Sequence, residues 1–205
     1  MSLMLRRRML MAMTDNEQSL LPKEYQQVDY IESTGTQYID TGLIPNQDTK
    51  VYAKFKLTKV ASNFVFGARY GSQQMACYVA GAIGPWSLRW GAKPTLSYET
   101  TDTNLHEITM GKDGIYWDGA WLENPANTEF TCPNNFYIFA SYNNGTVAYG
   151  KTHIYTLKLW DNGTLIREYI PCYHKNDNEI GLYDMVENKF YTNQGTGTFL
   201  KGADI

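Results

Sequence analysis

The chain has 205 residues, of which 43% are hydrophobic and 19% are charged, and its formal net charge at pH 7 is -3. This length suits one sizeable core and is short for two full domains. The weakly negative charge provides no broad basic surface, which argues against nucleic acid and anionic membranes as partners. The sequence has no run of roughly twenty apolar residues, so we predict no membrane insertion.

The first 22 residues differ in character from the rest of the chain. Arg6–Arg8 followed by the apolar stretch Met9–Met13 superficially resembles a signal peptide, but Thr14 and Asp15 interrupt the apolar region after about five residues. We therefore expect residues 1–22 to form an arm that is flexible or attaches the protein to a larger assembly. Residues 23–205 are predicted to form a single domain.

Short runs of apolar and aromatic residues follow one another along this domain. In Lys50–Leu57, apolar and polar residues alternate strictly, which predicts a half-buried antiparallel strand. No long helical period competes with this pattern. Further strands, each bounded by Gly, Pro, Asn or Ser, are predicted at Asn63–Arg69, Met75–Ala80, Trp86–Trp90, Leu96–Glu99 and Asn135–Ser141.

Two segments contain strong hairpin signals. Leu105–Glu123 divides into three short strands, separated by turns at Lys112-Asp113-Gly114 and at Asp118-Gly119. Further along, the predicted strands His153–Trp160 and Leu165–Ile170 flank an Asn-Gly pair that suits a type I′ turn. Such closely spaced turns without intervening helices predict an all-β antiparallel sandwich or barrel.

One feature of the second hairpin conflicts with simple alternation. If Leu157 and Leu159 point inward, the pairing also places Glu168 inward, between Ile166 and Ile170. Burying an unpaired carboxylate is costly. We therefore expect either a bulge that shifts the register or a buried hydrogen-bonding partner for Glu168.

Several segments also resemble known modules. Leu105–Glu123 resembles the central hairpin of laminin-G and concanavalin A-like jelly rolls. The opening segment Leu21–Gly42 and the closing segments Ile170–Cys172, Gly181–Asp184 and Lys189–Phe199 are similar to a family of modules found in phage and surface proteins of gut bacteria. The resemblance implies a jelly-roll β-sandwich whose first and last segments pair, carried by a virion or a cell surface.

Motifs for common enzyme chemistries are missing from the sequence. A retaining glycosidase needs two carboxyl groups about 5 Å apart, and the usual E-x-D-x-E strand does not occur. The pairs Glu99/Asp102 and Asp184/Glu187 have a different spacing and lie in predicted turns. No GxSxG nucleophile elbow is present. These observations favour a protein that is not an enzyme.

The sequence also lacks the usual metal-site patterns. The three histidines, His106, His153 and His174, are isolated from one another. The three cysteines, Cys77, Cys132 and Cys172, are far apart and odd in number, which predicts buried thiols rather than disulfides or a zinc site. No cofactor is expected, although Asp113 or Asp161-Asn162 remain possible oxygen ligands for calcium, as in some laminin-G modules.

Three groups of residues are candidates for ligand binding. Aromatic rings with polar neighbours suit the faces of sugars, and Asn amides both donate to and accept from hydroxyls. The alternation of Trp86, Leu88 and Trp90 favours a strand facing the core over a binding surface, and turn geometry alone explains the Asn-rich loop equally well. The candidates are Trp86, Arg89 and Trp90; Trp117, Asp118 and Trp121; and the loop residues Tyr142, Asn143 and Asn144.

The function expected from these observations is recognition or decoration without catalysis. We expect a virion-associated module that binds glycans on a host surface or contacts other virion proteins, displayed in several copies as a homo-oligomer. A bacterial surface adhesin, a purely structural virion protein and a glycan hydrolase remain as alternatives.

Overall fold

The computed structural model describes residues 21–82, 84–92, 95–125, 129–143 and 145–205. Most of the predicted N-terminal arm therefore lies outside the described residues. Within these ranges the chain forms nineteen strands in two sheets and no helix. Since the described part contains no helix, it also contains none long and apolar enough to span a membrane.

The larger sheet has eleven strands, eight of which follow the order β11-β10-β9-β4-β15-β16-β17-β18. In addition, β1 pairs with β16, and β2 pairs with β15 and β19. The strands are β1 (Tyr25–Gln27), β2 (Ile31–Thr34), β4 (Thr49–Leu57), β9 (Leu105–Gly111), β10 (Gly114–Trp117), β11 (Ala120–Glu123), β15 (Lys151–Asp161), β16 (Thr164–His174), β17 (Ile180–Asp184), β18 (Lys189–Tyr191) and β19 (Leu200–Lys201).

The smaller sheet has eight strands, six of them in the order β14-β13-β5-β6-β7-β8, with β12 joining β3 to β5. One parallel bridge, between β13 and β5, interrupts its antiparallel pairing. The prediction of an all-β jelly-roll sandwich is confirmed. The strands are β3 (Ile39–Asp40), β5 (Asn63–Tyr70), β6 (Gln73–Val79), β7 (Pro85–Gly91), β8 (Leu96–Thr100), β12 (Tyr137–Ile138), β13 (Ala140–Asn143) and β14 (Thr146–Tyr149).

The main hydrophobic core lies between the two sheets. Strand β4 shows how it forms, because its alternating apolar residues are fully buried while its lysines point to the outer face. The partners from the smaller sheet include Phe66, Met75 and Leu88. Removing these side chains from water is the main favourable contribution to folding. The alternation predicted for Lys50–Leu57 is confirmed.

Both predicted Asp-Gly and Asn-Gly turns are present. Asp118 and Gly119 have φ angles of 47° and 80°, and Asn162 and Gly163 have φ angles of 45° and 81°. Positive φ at both central residues is the type I′ requirement, which Asn, Asp and Gly meet at low cost. The β9–β10–β11 meander and the β15–β16 hairpin therefore form where the sequence places them.

Glu168 does not point inward. A bulge at Leu159 and Trp160 shifts the register so that Leu157 pairs with Tyr169, which is fully buried. Glu168 then faces outward and pairs with Lys158 at 2.7 Å. The simple alternation assigned the wrong face to this strand, and the expected register shift resolves the conflict.

The predicted strand Asn135–Ser141 is two strands instead of one. Phe139, between β12 and β13, has a φ angle of 69° and is fully buried. This left-handed residue turns the chain, so that β12 runs antiparallel to β5 and β13 runs parallel to it. Phe rarely adopts a positive φ angle. For this reason, nothing in the sequence predicted that the strand would be interrupted at Phe139.

The first and last segments of the domain lie side by side. Leu200 and Lys201 pair with Glu32 and Ile31. In addition, the Asn193 side chain accepts a hydrogen bond from the backbone N–H of Tyr38 at 3.1 Å. The pairing implied by the resemblance is therefore present.

Candidate functional site

Three of the four candidate tryptophans are in the core. Trp86, Trp90 and Trp117 are 1%, 2% and 2% exposed, and all three belong to the main core between the sheets. A sugar stacks only on a ring that solvent reaches. The expectation of aromatic platforms on these residues is therefore corrected, and the alternative that Trp86 and Trp90 face the core is what the structure shows.

Trp121 differs from Trp117 because the two occupy opposite faces of the β10–β11 hairpin. It pairs across the hairpin with Tyr116, and its side chain is 59% exposed. Both rings lie close over Gly114, where an added Cβ would approach Tyr116 to 2.9 Å and Trp121 to 3.3 Å. This exposed pair on the outer face of the larger sheet is what remains of the second candidate group.

The Asp118 carboxylate is bound by other groups of the protein. Its carboxylate accepts hydrogen bonds from the backbone N–H of Glu107 at 2.7 Å and lies 2.8 Å from His106 Nδ1. The other ring nitrogen of His106 is 2.9 Å from Asp102. Asp118 therefore fixes the turn beside the buried Trp117 ring instead of facing a ligand.

The environment of Asp102 shows that this cluster stabilises the charged carboxylate. Burial by itself raises the pKa of Asp102, but hydrogen bonds from the Asn104 backbone and from His106 outweigh it, and the net pKa lies below the usual value. His106 packs against the rings of Trp86 and Trp117, at centroid distances of 5.7 and 4.8 Å. The cluster joins the 101–104 loop to the core.

Arg89 lies on the outer face of the smaller sheet, opposite to its neighbours Leu88 and Trp90. Its Nε donates a hydrogen bond to the Tyr78 hydroxyl at 3.2 Å. Tyr78 stacks on Phe64 at a centroid distance of 4.7 Å, and these two residues form a small cluster apart from the main core. Of the first candidate group, Arg89 alone is on an accessible face.

One row of paired residues crosses this outer face. Tyr137 pairs with Asp40 on one side and with Gly67 on the other, Gly67 pairs with Ala76, and Ala76 pairs with Arg89. We call these five residues the Gly67 row. Its middle is closed to solvent: Gly67 and Ala76 are both buried, and a Cβ placed at Gly67 would meet both Ala76 and Ser141 at 3.0 Å. Larger side chains stand at both ends.

Four tyrosines gather at the Tyr137 end of the row, and we call them the tyrosine cluster: Tyr38, Tyr137, Tyr142 and Tyr149. Tyr38 lies 4.7 Å from Tyr137 and 6.0 Å from Tyr149, and Tyr137 lies 6.5 Å from Tyr142, between ring centroids. Tyr149 is 36% exposed, and the other three are half-buried.

The cluster contains one of the predicted loop residues. Tyr142 belongs to it, Asn143 ends β13 with a half-buried side chain, and Asn144 lies outside the described residues. Burial, together with the nearby Asp40, raises the pKa of Tyr137 to about 12, so its hydroxyl stays protonated at physiological pH. The tyrosine hydroxyls therefore both donate and accept hydrogen bonds.

Asp40 is held rigidly beside the cluster. Its carboxylate oxygens lie 3.0 and 3.1 Å from the Asn135 amide nitrogen, and one of them accepts the Gly42 N–H at 2.8 Å. A cleft of about 310 Å³ opens next to it, lined also by Lys189 and Gln194. Aromatic rings with a few fixed polar groups at the edge of a cleft are typical of small-molecule and sugar sites.

The carboxylate pairs considered for hydrolysis have other partners. Asp184 is fully buried, and Arg167 lies 3.4 Å from it and 2.6 Å from Glu187. Glu187 also accepts a hydrogen bond from the Tyr191 hydroxyl. Asp102 is bound to His106. The structure thus places these acids in networks that connect strands and loops.

The possible calcium ligands surround a lysine. The Lys112 ammonium lies 2.9 Å from Asp48 and 3.5 Å from the side-chain oxygen of Asn162, with Asp113 and Asp161 nearby. The hydrogen bond and charge of Asp48 raise the Lys112 pKa. In the part of the chain that the structure covers, no three His, Cys, Asp or Glu side chains form a group suited to a metal ion.

Several residues of the Gly67 row and the tyrosine cluster escaped the sequence analysis: Tyr38, Asp40, Gly67, Ala76, Tyr137 and Tyr149. They come from four separate segments, and no local spacing relates them. One signal was the number of tyrosines: the chain contains sixteen, and only some of them are buried in the core. Tyr38 and Asp40 also fall within the opening segment that carries the family resemblance.

No known family and no curated protein matches this chain. The fold and the geometry of the site are therefore the basis for the functional argument.

Proposed function

We propose that this chain is a non-enzymatic glycan-recognition module, and that its ligand lies along the outer face of the smaller sheet. The observation that carries the proposal is the tyrosine cluster, which lies beside Asp40 and the cleft that opens next to it. Accessible rings beside a cleft with a fixed carboxylate give a sugar both a stacking surface and hydrogen-bond acceptors.

The chemistry of this face supports a sugar over a protein or nucleic acid. Its described strands contain only four charged residues, and Tyr70, Gln73 and Ser97 are among its exposed groups. Tyrosine combines an apolar face for sugar C–H groups with a hydroxyl for sugar hydroxyls. Asp40, fixed by Asn135 and Gly42, provides two oriented acceptor oxygens at the edge of the site.

The biological setting follows from the resemblance to concanavalin A-like and laminin-G-type modules of phage and of gut-bacterial surface proteins. In that setting the chain decorates a virion and contacts glycans on the host surface. Several copies displayed on one particle strengthen weak single-site binding through effective concentration. A bacterial adhesin would use the same site chemistry.

The proposal is tested by binding the purified protein to a broad glycan array and to whole gut-bacterial cells. Tyr38→Ala and Tyr149→Ala remove rings from the tyrosine cluster, and Trp121→Ala is the matched control, since it removes an exposed ring from the other sheet. We expect each tyrosine variant, folded by circular dichroism, to bind about tenfold more weakly, which corresponds to about 1.4 kcal/mol.

The outcomes separate the alternatives. Loss of binding in Trp121→Ala, with both tyrosine variants unaffected, would place the site on the β10–β11 hairpin. Absence of binding to every glycan and to cells would favour a structural decoration protein. Release of labelled fragments from a bound polysaccharide would contradict the non-enzymatic part of the proposal.

A further inference from the structure

The smaller sheet carries two arginines on its outer face. Its described strands contain only two carboxylates, Asp40 and Glu99, and no lysine. By contrast, the larger sheet pairs many of its charges, for example Lys54 with Glu107 and Lys158 with Glu168. Fewer carboxylates are therefore available on the described strands of the smaller sheet to pair with its arginines, Arg69 and Arg89.

Arg69 and Arg89 flank a single tyrosine ring. The Arg69 guanidinium lies 5.2 Å from the centre of the Tyr78 ring and 5.5 Å from that of Phe64. Arg89 approaches the same tyrosine from its hydroxyl, at 3.2 Å. Stacking on aromatic rings fixes a guanidinium in place, which reduces the entropy lost on binding a ligand.

Protein groups use only part of the donor capacity of these arginines. Arg69 donates from Nε to the Gln74 side chain at 3.0 Å, and Arg89 donates from Nε to Tyr78. Over the ranges that the structure describes, neither guanidinium has a carboxylate within 4 Å.

The two carboxylates of this sheet are placed elsewhere. Asp40 is at the far end of the Gly67 row, four strand spacings or about 19 Å from Arg89. It is already bound by Asn135 and Gly42. Glu99 lies in β8 next to Tyr98, and its proximity raises the pKa of that tyrosine. Two like charges beside one ring repel each other, and an anion that reaches both removes this repulsion.

We propose that the ligand is an acidic glycan whose sugar carboxylate binds Arg69 and Arg89. This inference rests on the proposed function and adds the chemical class of the sugar. Planar guanidinium groups match the geometry of a carboxylate and form paired, charge-assisted hydrogen bonds with it. The tyrosine cluster lies about 14 Å away across three strand spacings, so an oligosaccharide bound at the arginines would reach it over the surface of the sheet.

The test uses oligosaccharides of polygalacturonate, alginate and hyaluronan together with sialyllactose, each beside its carboxyl-reduced, neutral derivative. Affinities of the wild type are compared with those of Arg69→Gln, Arg89→Gln and the double variant. Lys56→Gln is the matched control, because it removes one positive charge from the outer face of the larger sheet. Thermal melts verify that each variant is folded.

We expect the wild type to bind at least one carboxylated sugar tenfold or more tightly than its reduced form. The double variant loses this preference but binds the neutral form as before, whereas Lys56→Gln keeps the preference. Arg69→Lys with Arg89→Lys keeps the charge without the planar donors, and we expect it to recover only part of the preference.

Two other outcomes overturn the inference in distinguishable ways. If every acid and its reduced form bind equally, and the arginine variants change neither, the acidic specificity is wrong while glycan recognition stands. If no sugar of either kind binds, both this inference and the proposed function fail. A preference abolished equally by Lys56→Gln would indicate a general effect of net charge and would also overturn the site.

Discussion

Replacing Asp184 by Ala provides a sharp test of the register found in β16 and β17. Asp184 is 0% exposed, and one of its oxygens accepts hydrogen bonds from the backbone N–H groups of Glu168 and Val186, both at 3.0 Å. Its other oxygen lies 3.4 Å from Nε of Arg167, whose side chain is 15% exposed. Asp184→Ala removes all three interactions at once.

The expected cost follows from these contacts. Each N–H left without a partner costs about 1–3 kcal/mol, and removing one member of a buried ion pair costs about 3–5 kcal/mol. The two ranges overlap, and Arg167 keeps Glu187 at 2.6 Å as a second partner. We therefore expect a loss of about 3–5 kcal/mol in the free energy of unfolding, equivalent to a fall in Tm of about 6–20 °C for a domain of this size.

The assay is urea unfolding followed by tryptophan fluorescence, with Glu168→Ala as the matched control. Glu168 is next to Tyr169, the pairing partner of Asp184, but it faces outward and forms a partly exposed pair with Lys158. Such pairs contribute about 0–1 kcal/mol. A cost below about 1 kcal/mol for Asp184→Ala, or an equal cost for Glu168→Ala, would refute the assignment of these faces.

Three further predictions concern burial and charge. Trp117→Ala is expected to cost about 3–5 kcal/mol, because the ring is 2% exposed, whereas Trp121→Ala should change stability by less than about 0.5 kcal/mol; equal effects in chemical unfolding would contradict the opposite faces of the hairpin. Asp102→Asn should lower stability at pH 7, and the difference from wild type should shrink as the pH falls below about 4, because a carboxyl whose pKa is lowered in the fold stabilises only while ionised; a difference that grows in acid would have the wrong sign. The three cysteines are buried, and burial raises their pKa values, so a thiol reagent at pH 8 should label them only after unfolding; fast labelling of the native protein would show that one is accessible.

The sandwich of two antiparallel sheets and the pairing of the first and last segments are present in the structure. The ligand and the virion setting remain proposals. Of the four candidate tryptophans, Trp86, Trp90 and Trp117 are buried, and the accessible rings at the proposed site are tyrosines. A sequence pattern identifies aromatic residues without showing which face of a strand they occupy.

Signals between neighbouring residues were enough to predict several strands and turns. Strict alternation fixed β4, and the Asp118-Gly119 and Asn162-Gly163 pairs fixed two turns, because both signals depend only on residues that are close in the chain. The alternation reflects the two-residue period of side chains along a strand, and the turns need positive φ angles that few residue types adopt. Such properties need no knowledge of the rest of the fold.

Contacts between distant segments set which strand faces are buried and which segments lie side by side. The bulge at Leu159 turned Glu168 outward, and the left-handed Phe139 divided one predicted strand into two. The Gly67 row arises because β3, β12, β5, β6 and β7 lie side by side, although the residues involved are up to 97 positions apart. Register between distant strands is set by packing of the whole core, so a shift of one residue would have placed every one of these side chains on the opposite face.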